Sequence, residues 1–233
     1  MTAEEVEIGL EMLRENQDYL ARFLEKQKPG DDNLVGLLLA MEGEGVLDRY
    51  QLICQAFLIL LAGHETTRNL IGSGVYLLLS QPHQNREQLV MDDLALRLAV
   101  DEILRLVSPV QLGSRCALET FEFEGARIEK GQGIWLAWAS ANRDPQQFTD
   151  PDRLDLARRN NPHLAFGAGI HACLGLHLAR VEARIAFRAL WRRLPNLELS
   201  RKPVEWQRSL GIHGPRRLHV EYAVSTKTTA SAS

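Results

Sequence analysis

Phe166-Gly167-Ala168-Gly169-Ile170-His171-Ala172-Cys173-Leu174-Gly175 is the stretch that decides how this 233-residue chain is read. It sets one cysteine between a glycine-rich turn and the start of a regular run, Leu176-His177-Leu178-Ala179-Arg180-Val181-Glu182-Ala183-Arg184-Ile185-Ala186-Phe187, and Leu174 to Arg193 predicts a helix. A helix N-terminus presents free N–H groups and the positive end of the helix dipole. A thiol placed there is drawn toward thiolate, the form that binds metal. Gly167 and Gly169 permit backbone conformations that other residues avoid, so the loop can pass close to a flat ligand. Phe166 supplies an aromatic wall beside the sulfur. The arrangement suits one axial thiolate on a haem iron. For Cys173 taken alone, the plain alternative is a buried small hydrophobe.

Composition limits the remaining classes. Hydrophobic residues make up 45% and charged residues 24%, with a net charge of -3. The near-neutral balance offers neither nucleic acid nor an anionic membrane a reason to bind. Cys54, Cys116 and Cys173 show no paired or metal-like spacing. An odd count argues against a disulfide framework and for a reducing cytoplasm. Met1-Thr2-Ala3-Glu4-Glu5 lacks the basic and apolar regions of an export signal. The strongest apolar run, Leu52 to Ala62, is shorter than the roughly 20 residues of a membrane span.

That run leads into Ala62-Gly63-His64-Glu65-Thr66-Thr67, and the whole segment from about Asp48 to Ser80 predicts one long buried helix with a polar break at its centre. Small Ala62 and Gly63 leave room beside the helix. Thr66 can bond back to the helix or outward to a ligand. Adjacent Glu65 and Thr66 point about 100° apart, so they do not share one face. A kink with a solvated Glu65 is the alternative. Further on, Leu94 to Leu106 is amphipathic and ends before Pro109. It carries Glu102-Ile103-Leu104-Arg105, whose charges share a face and can pair. Phe121–Phe123 and Ala126–Ile128 flank Glu124-Gly125 as a hairpin. Ile134 to Ala139 is an apolar run, and Asn142-Arg143-Asp144-Pro145 reads as a turn. A helix is expected over Glu4 to Gln27, and Ser225 to Ser233 reads as a disordered tail.

The cysteine string matches Phe-Gly-x-Gly-x-His-x-Cys-x-Gly at every fixed position, and so resembles the cysteine loop of the cytochrome P450 family, the haem-thiolate monooxygenases. Ala62-Gly63-His64-Glu65-Thr66-Thr67 resembles that family's oxygen-binding segment, and Glu102-x-x-Arg105 its helix behind the haem. Pro151-Asp152-Arg153-Leu154-Asp155 resembles its Pro-x-Arg-x-Asp string, with Leu154 where Phe is more usual. The resemblance runs from about Ala3 to Val224 and is nearest the soluble bacterial type. It implies a mainly α fold with small β-sheets, the C-terminal half of the family fold, as one domain over 1–224.

The resemblance also implies roles. Cys173 would ligate a haem b iron, with Phe166, Gly167, Gly169, Ala62 and Gly63 around the group. Thr66 would face iron-bound oxygen, and Glu65 would feed protons through water. Glu102, Arg105 and Arg153 would form a buried network anchoring the cysteine segment. Arg115 and His171 would pair with haem propionates, the alternative being ordinary surface charges. The implied partners are a ferredoxin-type electron donor with its reductase and a small or medium apolar substrate inserted with one oxygen atom. Arg180, Arg184, Arg188, Arg192 and Arg193 would recruit the donor, or form a solvated helix face. The family's N-terminal half has no counterpart in this sequence. That leaves a second expectation, a non-catalytic haem-binding protein completed by a second copy or by a complementary N-terminal half.

Overall fold

The computed structural model describes residues 2–81, 89, 91–194 and 196–223. The tail expected at 225–233 lies outside them. The chain divides into two compact units, Met1–Glu65 and Thr66–Ser233, within the span expected as one domain.

The first unit begins with α1 (Ala3–Leu24). A turn with Gly30 at φ 88° then leads to α2 (Leu34–Gly43). Asn33 caps α2, its Oδ1 accepting the Gly36 N–H at 2.9 Å. Sequence reading missed α2, because Leu34 to Met41 is apolar without a helical stripe. Helix α3 (Arg49–Ser80) opens on a reciprocal cap: Gln51 N donates to Asp48 Oδ1 at 2.7 Å, and Asp48 N donates to Gln51 Oε1 at 2.9 Å. Leu24, Leu38, Leu39 and Leu52 form the buried cluster of this unit.

Helix α3 is the single long helix expected, with the polar residues 62–67 interrupting its apolar run but not its backbone ladder, and without the alternative kink. Its burial differs from expectation. Within 49–65 only Leu52 is buried, while Leu58, Leu60 and Leu61 are exposed. A helix that is apolar on most sides buries only the sides its neighbours cover.

The second unit starts within α3 and packs that helix against α4 (Asp93–Val107) and α6 (Leu176–Arg193). Leu70, Val75 and Leu78 meet Leu96, Val100, Ile103 and Leu104 of α4 and Ala183, Phe187 and Trp191 of α6. A β-carbon on Gly74 would lie 2.5 Å from Phe187 Cζ, so the ring presses on bare helix backbone. Helix α4 follows the expected span. Asp92 caps it through the Ala95 N–H at 2.9 Å, and it stops at Ser108, left-handed at φ 36°, just before Pro109. Asn142 Nδ2 donates to the Ser108 hydroxyl at 2.8 Å, holding that conformation in a buried setting.

Among the described residues the strands form four antiparallel pairs. β1 (Gly113–Cys116) pairs with β4 (Gly133–Leu136), with Arg115 opposite Ile134. β2 (Phe121–Phe123) and β3 (Ala126–Ile128) form the expected hairpin, turned by Glu124 and Gly125 at positive φ. A short helix, α5 (Trp138–Ala141), follows β4. β5 (Glu198–Leu199) pairs with β8 (Val220–Glu221), and β6 (Glu205–Trp206) with β7 (Pro215–Arg217).

Glycine to alanine inside a helix ordinarily stabilises by about 1 kcal/mol. At Gly74 the sign reverses. Gly74→Ala is expected to lower the urea midpoint by about 1–3 kcal/mol of stability, and Phe187→Leu in the same chain to recover part of that loss. A Gly74→Ala variant as stable as the parent would show that the ring does not press on this helix.

Candidate active site

The core of the site is an ion cluster on α4. Glu102 and Arg105 are both fully buried. Glu102 Oε2 accepts from Arg105 Nε at 2.8 Å, Arg158 Nε at 3.0 Å and Asn161 Nδ2 at 3.2 Å. Its Oε1 accepts from Arg105 Nη2 and from the Asp155 backbone N–H, both at 2.9 Å. Arg105 Nη1 donates to the carbonyls of Asn142 at 2.8 Å and Pro151 at 2.6 Å. Its guanidinium lies 5.0 Å from the Phe148 ring centre. A buried charge is tolerable when its hydrogen-bonding capacity is filled in this way.

The third member of the network is not the expected one. The side chain of Arg153 is 76% exposed and reaches only Asp150, at 4.0 Å. Arg153 contributes its carbonyl instead, accepting from Arg105 Nη2 at 3.3 Å. The cause is local. A turn from Asp150, left-handed at φ 48°, bonds Arg153 N to Asp150 O at 3.0 Å and directs the Arg153 side chain outward. Arg158 takes the ionic role, at 10% side-chain exposure, and is steadied by the Thr149 carbonyl at 3.0 Å. In sequence nothing separates Arg158 from its neighbour Arg159.

The cysteine loop is closed by its own backbone. Cys173 N donates to Phe166 O at 2.9 Å, Gly167 N to Leu164 O at 2.9 Å and Ala172 N to Gly169 O at 3.1 Å. Gly167 (φ 66°) and Gly169 (φ 68°) supply the two left-handed turns this path needs. Gly169–His171 is a 3-10 turn, and α6 starts at Leu176, two residues later than expected. Cys173 is exposed, against the alternative of a buried hydrophobe. Ile170 and Leu174 beside it are 97% and 96% exposed, and His171 is exposed too.

The Trp138 ring brings β1 toward this loop, and sequence reading passed it over. A β-carbon on Gly113 would sit 2.3 Å from Trp138 Cη2, and one on Gly167 would sit 3.9 Å from its Cζ2. Arg115 is two residues along β1 and so on the face of Gly113. It is half-buried, and its guanidinium donates to the Ser114 carbonyl at 2.8 Å. Among the described residues no carboxylate pairs with it. Glu65 and Thr66 are half-buried and Ala62 and Gly63 exposed, all on α3.

Asp101, next to Glu102, serves the cysteine loop. Its Oδ1 accepts from Arg180 Nε at 2.7 Å and lies 3.4 Å from His163 Nε2. Burial raises the Asp101 pKa most, but hydrogen bonds and charge from His163 and Arg180 together outweigh it and hold the carboxyl below its ordinary value. Such a group adds stability above the ordinary carboxyl range near ~4 and loses it as pH falls through the lower folded value.

These residues fit a particular ligand. An exposed thiol, bare aliphatic side chains, glycines without β-carbons and an unpaired guanidinium suit a flat apolar anionic group whose metal takes one thiolate. Among the described residues no cluster of three or more His, Cys, Asp or Glu side chains offers a different metal site. This donor set and lining fit a haem-thiolate protein. The sequence comparisons agree. The Cytochrome P450 family model matches residues 7–205. The polyketide biosynthesis cytochrome P450 PksS of Bacillus subtilis is 40% identical over 92% of this chain and 54% of its own length. The 6-deoxyerythronolide B hydroxylase of Saccharopolyspora erythraea is 39% identical over 94% of this chain and 55% of its own. The crystal structure of P450BioI with a hexadec-9Z-enoic acid-ligated acyl carrier protein superposes at a TM-score of 0.86, with 34% identity over 96% of this chain and 57% of that one. This chain belongs to the cytochrome P450 family, whose members bind haem through a cysteine thiolate. It spans about half the length of the curated relatives it matches. Among the described residues no helix is long and apolar enough to cross a membrane.

Two outcomes follow from this geometry. Arg158→Ala is expected to destabilise the fold by about 3 kcal/mol, since it removes one partner of a buried carboxylate, while Arg153→Ala costs under about 0.5 kcal/mol. Denaturant unfolding of both variants distinguishes them, and equal effects would contradict the assignment. Asp101→Asn should flatten the loss of stability below about pH 4, read from melting temperature against pH. A parent-like acid limb in that variant would rule Asp101 out as its source.

Proposed function

We propose that this protein is a haem-thiolate monooxygenase polypeptide in which Cys173 Sγ would hold the haem iron. The observation that carries the reading is the loop itself: an exposed thiol presented by satisfied backbone hydrogen bonds between two positive-φ glycines and a helix start. When bound, the haem supplies oxygen activation: O2, two electrons and two protons convert a C–H bond to C–OH and release one water. Cys173 contributes the anionic sulfur donor. Arg115 and His171 hold the two propionate carboxylates, a task that suits a guanidinium free of carboxylates. Thr66 would offer its hydroxyl, and Glu65 a carboxylate for moving protons through water, the roles the family resemblance implies. Glu102, Arg105 and Arg158 hold the segment that leads into the loop.

The substrate we assign is an apolar acyl or polyketide chain. The support is that relatives are named for polyketide biosynthesis and for hydroxylation of 6-deoxyerythronolide B, and a structural neighbour carries a hexadecenoyl carrier protein. A ferredoxin-type donor supplies electrons in this reading. An acidic surface on such a donor would complement Arg184, Arg192 and Arg193 on α6. The exposed apolar side chains of Ile8, Leu10, Met12, Leu58, Leu60 and Leu61 support a second reading, in which the chain binds haem within a larger assembly.

The test is the visible spectrum of the haem-loaded chain, reduced under carbon monoxide. A Soret band at the strongly red-shifted position of a thiolate–iron carbonyl is expected, and Cys173→Ser should abolish it. The same band in that variant would refute the ligand assignment.

A further inference from the structure

One end of the cysteine loop is gripped from outside it. The guanidinium of Arg180, on α6, lies 4.6 Å from the centre of the Phe166 ring. The His163 ring is a second neighbour, at 5.8 Å and tilted by 48°. Both grips end on one atom, Asp101 Oδ1 on α4, at 2.7 Å from Arg180 Nε and 3.4 Å from His163 Nε2. The histidine is oriented as well as placed. Its Nδ1 accepts the Ala165 N–H at 3.3 Å, which leaves Nε2 as the nitrogen that donates to the carboxylate. His163 is 4% exposed in its side chain, against 30% for Arg180 and 32% for Asp101. The grip therefore lies at the boundary between core and solvent, where a cation over an aromatic face is attracted by about 0.5–2 kcal/mol.

Phe166 is also the residue whose carbonyl accepts the Cys173 N–H at 2.9 Å. Any rotation of Phe166 moves that carbonyl, and the cysteine with it. The glycines at 167 and 169 leave the intervening backbone soft, so the ring at 166 is the firm point from which the loop is hung.

We propose that Arg180, pinned by Asp101 and His163, is a positioning residue that fixes Phe166 and, through it, the loop presenting Cys173. Its importance for haem rests on Cys173 being the iron ligand; the positioning itself does not. Asp101 supplies the charge that holds Arg180 flat over the ring. His163 shares the same carboxylate oxygen and packs beside the same ring.

The test is amide hydrogen exchange, resolved by peptide, on the full chain with and without added haemin. Arg180→Gln is expected to raise exchange across 166–175 about tenfold, with α4 and the buried half of α6 at parental rates. Arg180→Lys, which keeps the charge on Asp101 but not the planar stack, should raise it about threefold. Phe166→Leu should reproduce the Arg180→Gln effect, and the double variant should show no further rise. Parent-like exchange in the loop, additive effects in the double variant, or an equal rise over α4 and α6 would each overturn the proposal. Because exchange is read in both states, loss of the thiolate spectrum and loss of this grip are separate results.

Discussion

The buried carboxylate of Glu102 is the constraint on which the second unit depends. It cannot stay ionised in a core without filling its acceptor positions, and it draws them from four places: Arg105 on its own helix, the Asp155 backbone, Arg158 and Asn161. The last three belong to an irregular stretch with no sheet to hold it. One charge thus does for residues 142–161 what strand pairing does elsewhere. Arg105 extends the same control by donating to the carbonyls at 142, 151 and 153. Removing Arg105 or Arg158 leaves the buried carboxylate short of a cationic partner.

Helix α4 carries a second carboxylate immediately before the first. Asp101 and Glu102 point about 100° apart on the helix, so one reaches the core stretch and the other the edge of the cysteine loop. The long segment that precedes the loop and the loop itself are therefore set from adjacent positions on a single rigid element. The packing of Leu96, Val100 and Ile103 against Phe187 fixes α4 relative to α6, and Arg180 spans the same pair of helices through Asp101. Apolar packing sets the distance between the helices, and the ion pair sets their rotation at the loop.

What could be read in the sequence was what short range decides. The span of α4 follows from its apolar spacing, its Asp92 cap and the stop before Pro109, all local signals. The cysteine loop was legible because two glycines, an aromatic and a cysteine at fixed spacing leave few backbone paths. What was missed depends on distance or on turn geometry. Arg158 replaces Arg153 because of one left-handed residue at Asp150, which no pattern of charges announces. The Asp101–Arg180 and Asp101–His163 contacts join residues 79 and 62 positions apart. Trp138 read as part of an apolar run, although its ring requires Gly113 to lack a side chain. The single long span of α3 was legible from its apolar run despite the polar residues at its centre, because the backbone ladder is indifferent to such side chains unless they compete for its hydrogen bonds.

The exposure of Cys173 separates the two readings of a lone cysteine. A structural cysteine is buried because its sulfur behaves as a small hydrophobe. Here the thiol faces solvent, and so do Ile170 and Leu174, at 97% and 96%. Folding gains nothing from two bare aliphatic side chains within three residues of a bare thiol, and single exposed apolar residues are common enough to need no cause. Their grouping does need one. The backbone beneath them is hydrogen-bonded and turned by glycines, and it is hung from a ring that α4 and α6 grip together. A loop so firmly specified, with apolar side chains uncovered around one sulfur, has the features that the proposed thiolate hold on a flat group requires.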